Sequence, residues 1–461
     1  MKFYNREEEI KTMNQIEKNF RIAIVGRRRI GKTTLIEHFY KDKCLTFFVS
    51  AEKAEKEIIA SWVMEYPLLH LPNVSNFKEF FEFIFVHLRE KVIFIDELQN
   101  FLKVNKSFFY DLQRIIDKHK PNLVVSGSLI SMMKKILEDE KSPLYGRFDF
   151  IIKLRELDFK TICKICSDLN LKIEQTFILY SIFGGIPKYY ELVEKLRYFD
   201  SDNFIFDFFV RYPRPLYEEV KTILKEEFGK EHKTFFSILS AISQGKNKNS
   251  EIAGYLGKKE TEITKYLSML KEEFELIERN TPLVGGKKGV YSIKNNFILF
   301  WFNSIWRHNQ FLEIGQEKKA EELIKPNLNA YIGKVFERTI RDLFNKNIFH
   351  EFLFTKIGRQ WGKIKGKKEG ENQYEIDILA INENKKEILF GECKWHDNVD
   401  AEKIIKKLAE KSKFVEWENE NRKEHFAIFA KSFKKRINEF EGKQVYCFSL
   451  QEIEKLVINS N

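Results

Sequence analysis

Eight residues near the N-terminus carry the clearest chemistry in the sequence. Positions 26–33 read Gly-Arg-Arg-Arg-Ile-Gly-Lys-Thr, which matches the phosphate-binding pattern G-x-x-x-x-G-K-[ST] in full. Main-chain N–H groups of such a loop face phosphate oxygens, and the helix that follows adds a favourable dipole. We expect Lys32 to reach the β- and γ-phosphates of a nucleotide and the Thr33 hydroxyl to bind Mg²⁺. The residues of this segment predicted to bind a nucleotide are Gly26, Arg29, Ile30, Gly31, Lys32, Thr33 and Thr34.

Two adjacent carboxylates supply the second half of a hydrolytic site. Asp96 and Glu97 follow an apolar run at 93–95, and this pattern predicts that they end a buried strand. Asp96 is expected to hold the Mg²⁺ shell, and Glu97 is expected to polarise the attacking water as a general base. The alternative is an acidic helix cap, which the upstream glycine loop disfavours.

Two further residues fit the same site less specifically. Ser126 ends the strand predicted at 123–126, where its hydroxyl could sense the γ-phosphate; the alternative is a serine that starts a turn. Arg147 could act as an arginine finger on a phosphate, or it could be a surface ion-pair partner. The sequence leaves both choices open.

A second group of charged residues lies in the C-terminal part of the chain. Glu392 and Lys394 lie two apart in a predicted strand and therefore share one face. An antiparallel hairpin would bring Asp377 close to Glu392, and Glu337, on a preceding helix, would add a third acidic ligand. Such a group can hold Mg²⁺ and activate a water for phosphodiester cleavage. The alternative is a surface hairpin with alternating charges, which its apolar neighbours disfavour.

The elements that must position these groups fall into four segments. Residues 1–155 alternate short apolar strands with helices, among them helices predicted at 32–40 and 77–87, which predicts a parallel sheet covered on both faces. Residues 156–228 are mainly helical. Residues 229–310 contain three predicted helices, the second at 249–256, and a glycine-tipped hairpin, the pattern of a winged helix-turn-helix. Residues 328–461 form a separate α/β unit, which begins with a helix predicted at 330–344 and has another near 401–417.

The winged unit carries both signs of charge where it would meet nucleic acid. Lysines of its third helix and of its wing could contact phosphates, whereas acidic residues on the same helix would repel them. The lysines are Lys259, Lys265, Lys287 and Lys288. The acidic residues are Glu260 and Glu262, and the pair Glu272 and Glu273 just after the helix has the same effect. We expect DNA contact without sequence specificity; the alternatives are a protein contact or a solvated face.

The composition is that of a large protein with several domains. The chain has 461 residues, of which 43% are hydrophobic, and its net charge of +11 permits nucleic-acid contact without establishing it. Five cysteines, an odd and sparse set, predict a reducing compartment, so we expect a cytoplasmic protein. We expect no membrane association, because the sequence has no signal-peptide pattern and no apolar run long enough to span a bilayer.

The order of these motifs resembles that of the archaeal ATPase family, whose members are AAA-like, STAND-type P-loop ATPases. The matching segments are FYNREEE at 3–9, the glycine loop, IDELQ at 95–99, SPLYGR at 142–147, GGIPK at 184–188 and RPLYEEVKTILKEEF at 214–228. The resemblance implies that Asn5 and Arg6 lie near the base or ribose and that Pro187 touches the nucleotide. Val220 departs from the family pattern, which usually has proline there.

The C-terminal carboxylates resemble those of the PD-(D/E)-x-K nuclease superfamily, a signature that the tail of the archaeal ATPase family shares. GRQW at 358–361 is similar to the family's Gly-Arg-aromatic segment, although Gln360 is not aromatic, and Ile376 replaces the usual proline before Asp377. The expected fold class is α/β. It comprises a P-loop parallel-sheet domain with a helical lid, a winged helix-turn-helix and a restriction-endonuclease-like α/β domain.

Three functional hypotheses follow from these features. The first is an ATPase, with ATP and Mg²⁺ as cofactors, that couples nucleotide state to DNA binding and to metal-dependent DNA cleavage. The second is a STAND-type molecular switch with a catalytically inactive nuclease-like tail. The third is an ATPase that remodels a protein partner. The expected partners are ATP and DNA, while a protein partner and a homo-oligomer are left open.

Overall fold

A computed structural model describes residues 1–16, 19–196, 204–286, 289–364, 366–368 and 372–460. The wing lysines Lys287 and Lys288 lie outside these described residues. Among the described residues, no helix combines the length and the apolar character needed to cross a bilayer.

The N-terminal part is built on a parallel sheet with the strand order β2-β3-β4-β1-β5. Its strands are β1 (Arg21–Val25), β2 (Cys44–Phe48), β3 (Val92–Asp96), β4 (Leu123–Gly127) and β5 (Phe150–Lys153). Its helices are α1 (Glu7–Asn14), α2 (Lys32–Tyr40), α3 (Glu55–Glu65), α4 (Phe77–His87), α5 (Phe101–Val104), α6 (Phe108–His119) and α7 (Ile130–Leu137). β3 and β4 are buried throughout, as strands covered on both faces require, and they are apolar up to Asp96 and Ser126 near their ends. β4 lies between β1 and β3, so the ends of these three strands share one sheet edge.

Helices dominate the middle of the chain. They are α8 (Phe159–Asp168), α9 (Ile173–Phe183), α10 (Pro187–Leu196), α11 (Phe204–Phe209), α12 (Glu219–Phe228), α13 (His232–Ser243), α14 (Asn249–Leu256), α15 (Glu260–Ser268), α16 (Asn296–Phe300) and α17 (Asn309–Glu313). An antiparallel hairpin of β6 (Ile277–Asn280) and β7 (Val290–Ile293) follows α15.

The C-terminal part holds a second sheet with the order β14-β15-β12-β10-β9-β8. Its elements are α18 (Glu317–Asn345), β8 (Lys356–Lys363), β9 (Gln373–Asn382), β10 (Glu387–Lys394), β11 (Val399–Asp400), α19 (Ala401–Ser412), β12 (Lys423–Ala430), β13 (Phe433–Lys435), β14 (Glu439–Phe440), β15 (Lys443–Ser449) and α20 (Leu450–Asn459). β8, β9 and β10 are antiparallel neighbours, whereas β10, β12 and β15 run parallel. Both α18 and α19 pack against β9 and β10, and α19 also packs against β12.

Several predicted helices match the structure to the residue, and two C-terminal ones do not. The spans Lys32–Tyr40, Phe77–His87 and Asn249–Leu256 are confirmed. The helix predicted to begin at Ala330 begins at Glu317 instead, because its buried face continues N-terminal to Pro326, and the boundary expected at 328 therefore lies inside α18. The helix predicted for 401–417 ends at Ser412.

Candidate active site

The glycine loop between β1 and α2 depends on glycine at both ends. Gly31 precedes the first turn of α2 with φ +93°, a left-handed conformation that favours glycine. A Cβ atom on Gly26 would lie 2.7 Å from the Leu154 carbonyl oxygen, which is too close for any side chain. The loop therefore passes close to the backbone of Leu154, just after β5. The first turn of α2 leaves N–H groups without a partner in the helix, and such groups can bind an anion.

Lys32 is buried at the centre of this loop. Its ammonium group donates hydrogen bonds to the carbonyl oxygens of Gly26 (2.9 Å) and Arg27 (3.2 Å). Burial lowers the pKa of Lys32, and the nearby carboxylates of Glu97 and Asp96 oppose that shift. The Asp96 carboxylate at the end of β3 and the Glu97 carboxylate just beyond it therefore interact electrostatically with Lys32.

Asp96 connects the loop helix to the central strand. Its carboxylate accepts a hydrogen bond from the Thr33 hydroxyl (2.9 Å) and another from the Ser126 hydroxyl. Asp96 and Ser126 are buried at the ends of adjacent strands. The predicted residues Thr33, Asp96 and Ser126 are thus in direct contact, and their oxygen atoms are of the kind that Mg²⁺ prefers.

Glu97 lies one residue beyond β3 in a left-handed backbone conformation, with φ +60°. Its carboxylate accepts hydrogen bonds from the Ser128 hydroxyl (2.6 Å) and from the Gln99 side-chain amide. Ser128 also donates its backbone N–H at 3.3 Å. These contacts hold the carboxylate at the sheet edge that carries Lys32.

A cavity of about 550 Å³ opens beside the loop. Its wall includes Arg6, Arg28, Arg29, Ile30, Gly31, Lys32, Thr33, Thr34, Glu97, Pro187 and the stacked rings of Phe3 and His38, whose centroids are 3.9 Å apart. The aromatic pair was not predicted, although Phe3 belongs to the N-terminal motif. Pro187 reaches the cavity from the start of α10, so the helical region forms part of this wall.

Arg6 and Asn5 occupy different positions relative to this cavity. The buried guanidinium group of Arg6 donates to the carbonyl oxygens of Ile30 (3.1 Å) and Arg155 (2.8 Å), which ties the loop to the segment after β5. Asn5 does not line the cavity. Its side chain donates to the Thr161 hydroxyl of α8 (2.7 Å) and accepts from the Arg6 backbone N–H (2.7 Å). Asn5 therefore holds Arg6 in place, and its expected position near a base or ribose stays a prediction.

Arg147 lies away from the loop. It precedes β5, close to the start of β1, whereas the glycine loop follows the end of β1. Its guanidinium group donates to the Asp117 carboxylate at 3.0 Å, and Arg21 at the start of β1 pairs with Asp149 nearby. The ion pair is the alternative that the sequence left open, and Arg147 does not line the cavity beside the glycine loop. A role as an arginine finger stays a prediction.

The C-terminal charged residues meet across β9 and β10. Asp377 and Glu392 are both buried, and the Asp377 carboxylate accepts the backbone N–H of Cys393 at 2.9 Å. The Glu392 carboxylate is paired with Lys394 (2.7 Å) and with Lys411 of α19 (3.1 Å). Lys411 was not predicted, because its contact depends on how α19 packs on the sheet.

Glu337 of α18 lines one cavity together with Asp377. Burial raises the pKa of Glu337, and the Asp377 carboxylate raises it further. Among the described residues, no group of three or more His, Cys, Asp or Glu side chains is arranged to hold a metal ion. Glu392 is instead paired with Lys394 and Lys411. The metal role expected for Glu337, Asp377 and Glu392 stays a prediction.

Comparison with known proteins gives two matched families and a relative of similar length. The family described as "ATPase domain predominantly from Archaea" matches residues 3–193, and the family described as "Archaea bacterial proteins of unknown function" matches residues 301–404. An uncharacterized protein of Methanocaldococcus jannaschii is 36% identical over 453 residues, which cover 95% of this chain and 97% of that protein.

Two of the solved structures that are similar to this chain share little sequence identity with it. A Walker-type ATPase of Pyrococcus abyssi aligns over 65% of this chain and 96% of its own, with 18% identity and a TM-score of 0.48. The ORC2 protein of Aeropyrum pernix aligns over 68% of this chain and 95% of its own, with 13% identity and a TM-score of 0.45. The two family matches and the full-length relative show that this chain carries an ATPase domain and belongs to the same family as the Methanocaldococcus jannaschii protein.

Proposed function

We propose that this protein is a Mg²⁺-dependent ATP hydrolase whose nucleotide state controls its C-terminal half. The observation that supports the hydrolase most directly is the contact of Asp96 with both Thr33 and Ser126. One carboxylate thereby connects the loop helix α2 to β4, the strand next to the glycine loop. Nucleotide occupancy can change the positions of both through a single group.

Each residue of the site has a role that follows from its contacts. Thr33 and Asp96 supply hard oxygen atoms for Mg²⁺, which when bound would neutralise phosphate charge. Lys32 would exchange its two carbonyl partners for phosphate oxygens. Glu97, held by Ser128 and Gln99, is the general base that orients and deprotonates the attacking water.

Substitution of Glu97 tests this assignment. We expect Glu97→Gln to lower kcat for ATP hydrolysis by about 100-fold or more while ATP affinity changes little, because the base is lost and the phosphate contacts stay. Lys32→Ala should abolish ATP binding itself, and the exposed Glu65→Gln should behave as wild type. Hydrolysis by Glu97→Gln at the wild-type rate would reject this role for Glu97.

The C-terminal half supports a second candidate, a DNA-directed nuclease. The order α18-β8-β9-β10-β11-α19-β12, with Asp377 and Glu392 on adjacent strands, supports assignment of residues 328–461 to a restriction-endonuclease-like domain. The helices α13, α14 and α15 with the β6–β7 hairpin support a winged helix-turn-helix within 229–310. Lys259, just before the third helix, and Lys265 within it are exposed, and these are the groups we propose for contact with DNA phosphates.

Between an active nuclease and a switch with an inactive tail, the charges favour the switch. Lys394 and Lys411 neutralise Glu392, so this carboxylate would have to leave both partners before it could bind a metal. The proposed function is therefore an ATP-driven switch. The segments 1–155 and 156–228 form its nucleotide-binding domain and lid, and its C-terminal half reports the nucleotide state.

A further inference from the structure

The three arginines of the glycine loop contact residues far away in the chain. Arg27 donates to the Phe274 carbonyl oxygen at 2.6 Å, after α15. Arg29 pairs with Glu219 at 2.9 Å, in the first turn of α12. Arg28 donates to both carboxylate oxygens of Glu226, near the end of α12, at 3.2 Å each. The loop is thus attached to α12 at two points and to the segment before the β6–β7 hairpin at a third.

These contacts differ in how strongly they are protected from water. Glu219 is only 10% exposed in its pair with Arg29, whose guanidinium group also lies 5.9 Å from the Tyr189 ring centroid. The Arg28–Glu226 pair is open, with side-chain exposures of 47% and 43%. Exposed ion pairs of this kind contribute little to stability, whereas partly buried ones are harder to break. Arg28 is therefore the arginine that can change partners most readily.

Arg28 also lies on the wall of the nucleotide cavity. Its charge is close enough to Lys32 to depress the pKa of that lysine, and like charges placed together at a phosphate site attract an anion. A γ-phosphate carries more negative charge than a carboxylate, and it offers an arginine bidentate oxygen acceptors. A diphosphate lacks this group.

We propose that Arg28 is the residue that distinguishes nucleoside triphosphate from diphosphate, by exchanging Glu226 of α12 for the γ-phosphate. This inference rests on the proposed function, since it requires a nucleotide at the glycine loop. Arg27 and Arg29 keep the loop attached while Arg28 moves. The exchange releases the C-terminal end of α12, where the neighbouring Glu227 is hydrogen-bonded to the Ser131 backbone N–H at 3.4 Å.

The test compares affinities for a non-hydrolysable ATP analogue and for ADP, both with Mg²⁺, by calorimetry on the full chain. We expect Arg28→Gln to weaken binding of the triphosphate analogue by about tenfold and binding of ADP by less than about twofold, because one charge-assisted contact is lost. Glu226→Gln should tighten analogue binding by up to about fivefold without a matching change for ADP, since it removes the competing carboxylate.

Glu218→Gln is the matched control. Glu218 precedes α12 and is exposed, but it pairs with Lys221 at 3.0 Å rather than with the loop. It should leave the ratio of the two affinities unchanged. If Arg28→Gln and Glu226→Gln also leave that ratio unchanged in a protein that binds nucleotide, the exchange is refuted. If wild-type protein binds neither nucleotide, the proposed function fails instead, and the inference falls with it.

Hydrogen exchange of α12 gives an independent readout. In wild type, amides near the C-terminal end of α12 should exchange faster with the triphosphate analogue than with ADP. In Glu226→Gln they should exchange equally fast with both, because the ion pair is already absent. Equal exchange with both nucleotides in wild type would overturn the proposal.

Discussion

Glu337 is a half-buried carboxyl group, and the buried Asp377 carboxylate opposes its ionisation. Burial is the main cause of the raised pKa of Glu337, and Asp377 adds to it, while Arg359 and Arg341 act in the opposite direction. Burial and the neighbouring Glu392 likewise raise the pKa of Asp377. Ionising both groups in the folded protein therefore costs free energy that the unfolded chain does not incur.

Replacement of Glu337 by glutamine should reveal this cost as a pH dependence of stability. Because the folded pKa of Glu337 lies above the unfolded value, the cost is absent below the ordinary carboxyl range and grows as the pH rises toward the raised pKa. Glutamine does not ionise, so we expect Glu337→Gln to raise the free energy of unfolding by about 1–3 kcal/mol near pH 8 and to change it little near pH 4.

Urea unfolding at both pH values measures the effect. Glu322→Gln, an exposed change on the same helix, is the control and should be neutral at both. An equal effect of Glu337→Gln at the two pH values would show that the interaction is one of packing rather than of charge.

Some site residues could be placed from the sequence and others could not, depending on whether their position is set by the nearby chain or by distant packing. Thr33, Asp96 and Ser126 could be placed from the sequence because each lies at the end of a strand or the start of a helix, and parallel strands bring such ends together. Arg147 could not, because the sequence shows a loop but not which sheet edge the loop follows. Lys411 reaches Glu392 from the last turns of α19, a contact set by helix packing alone.

At the scale of elements, the segment after β6 attaches the central helical region to the C-terminal sheet. The backbone N–H of Leu283 donates to the Arg359 carbonyl oxygen of β8 at 3.0 Å. The buried Gln360 side chain accepts from the Val284 N–H (3.0 Å) and donates to the Val284 carbonyl (3.2 Å). β8 is the outer strand of its sheet, so this segment pairs with groups that an edge strand leaves open.

Gln360→Ala should therefore loosen the attachment of the hairpin. The substitution leaves the Val284 N–H and C=O without their side-chain partner, and we expect a loss of about 1–3 kcal/mol in the free energy of unfolding. We also expect faster proteolytic cleavage between β6 and β7. Gln373→Ala, on the exposed start of β9, should change stability by less than about 0.5 kcal/mol. An unchanged cleavage rate in Gln360→Ala would show that the hairpin is held by other contacts.

Elements with a strong internal pattern were predictable, and those defined by distant partners were not. α2 and α4 match their predicted bounds because apolar residues recur at helical spacing between clear ends. β8 carries Gly358, Arg359 and Gln360 and has no apolar alternation, so nothing local predicts a strand. It becomes one because β9 on one side and the segment at Leu283 on the other bind its backbone.

At the scale of the whole molecule, the hydrophobic cores do not follow the predicted domain boundaries. One buried cluster runs from Leu157 in the helical region, through α13 and α18, to Val457 in α20. The N-terminal sheet has separate clusters on its two faces. The cavity beside the glycine loop lies between the N-terminal sheet domain, which contributes Lys32, and the helical region, which contributes Pro187. Changes in hydrophobic pattern along the sequence divide the chain into segments. Segments that share one hydrophobic core move together, and the sequence pattern does not show which segments share a core.

The shared core connects the helical region to the C-terminal domain, and cleavage assays can distinguish a switch from a nuclease. In a switch with an inactive tail, the purified full chain with ATP and either Mg²⁺ or Mn²⁺ should cut neither single-stranded nor double-stranded DNA. The physical reason is that Glu392 stays paired with Lys394 and Lys411. Asp377→Ala and the exposed control Glu383→Gln should then show the same DNA affinity as wild type in salt-dependent gel shifts. Metal-dependent cleavage that ATP stimulates and Asp377→Ala abolishes would establish the nuclease instead, and it would require α19 to move Lys411 away from Glu392.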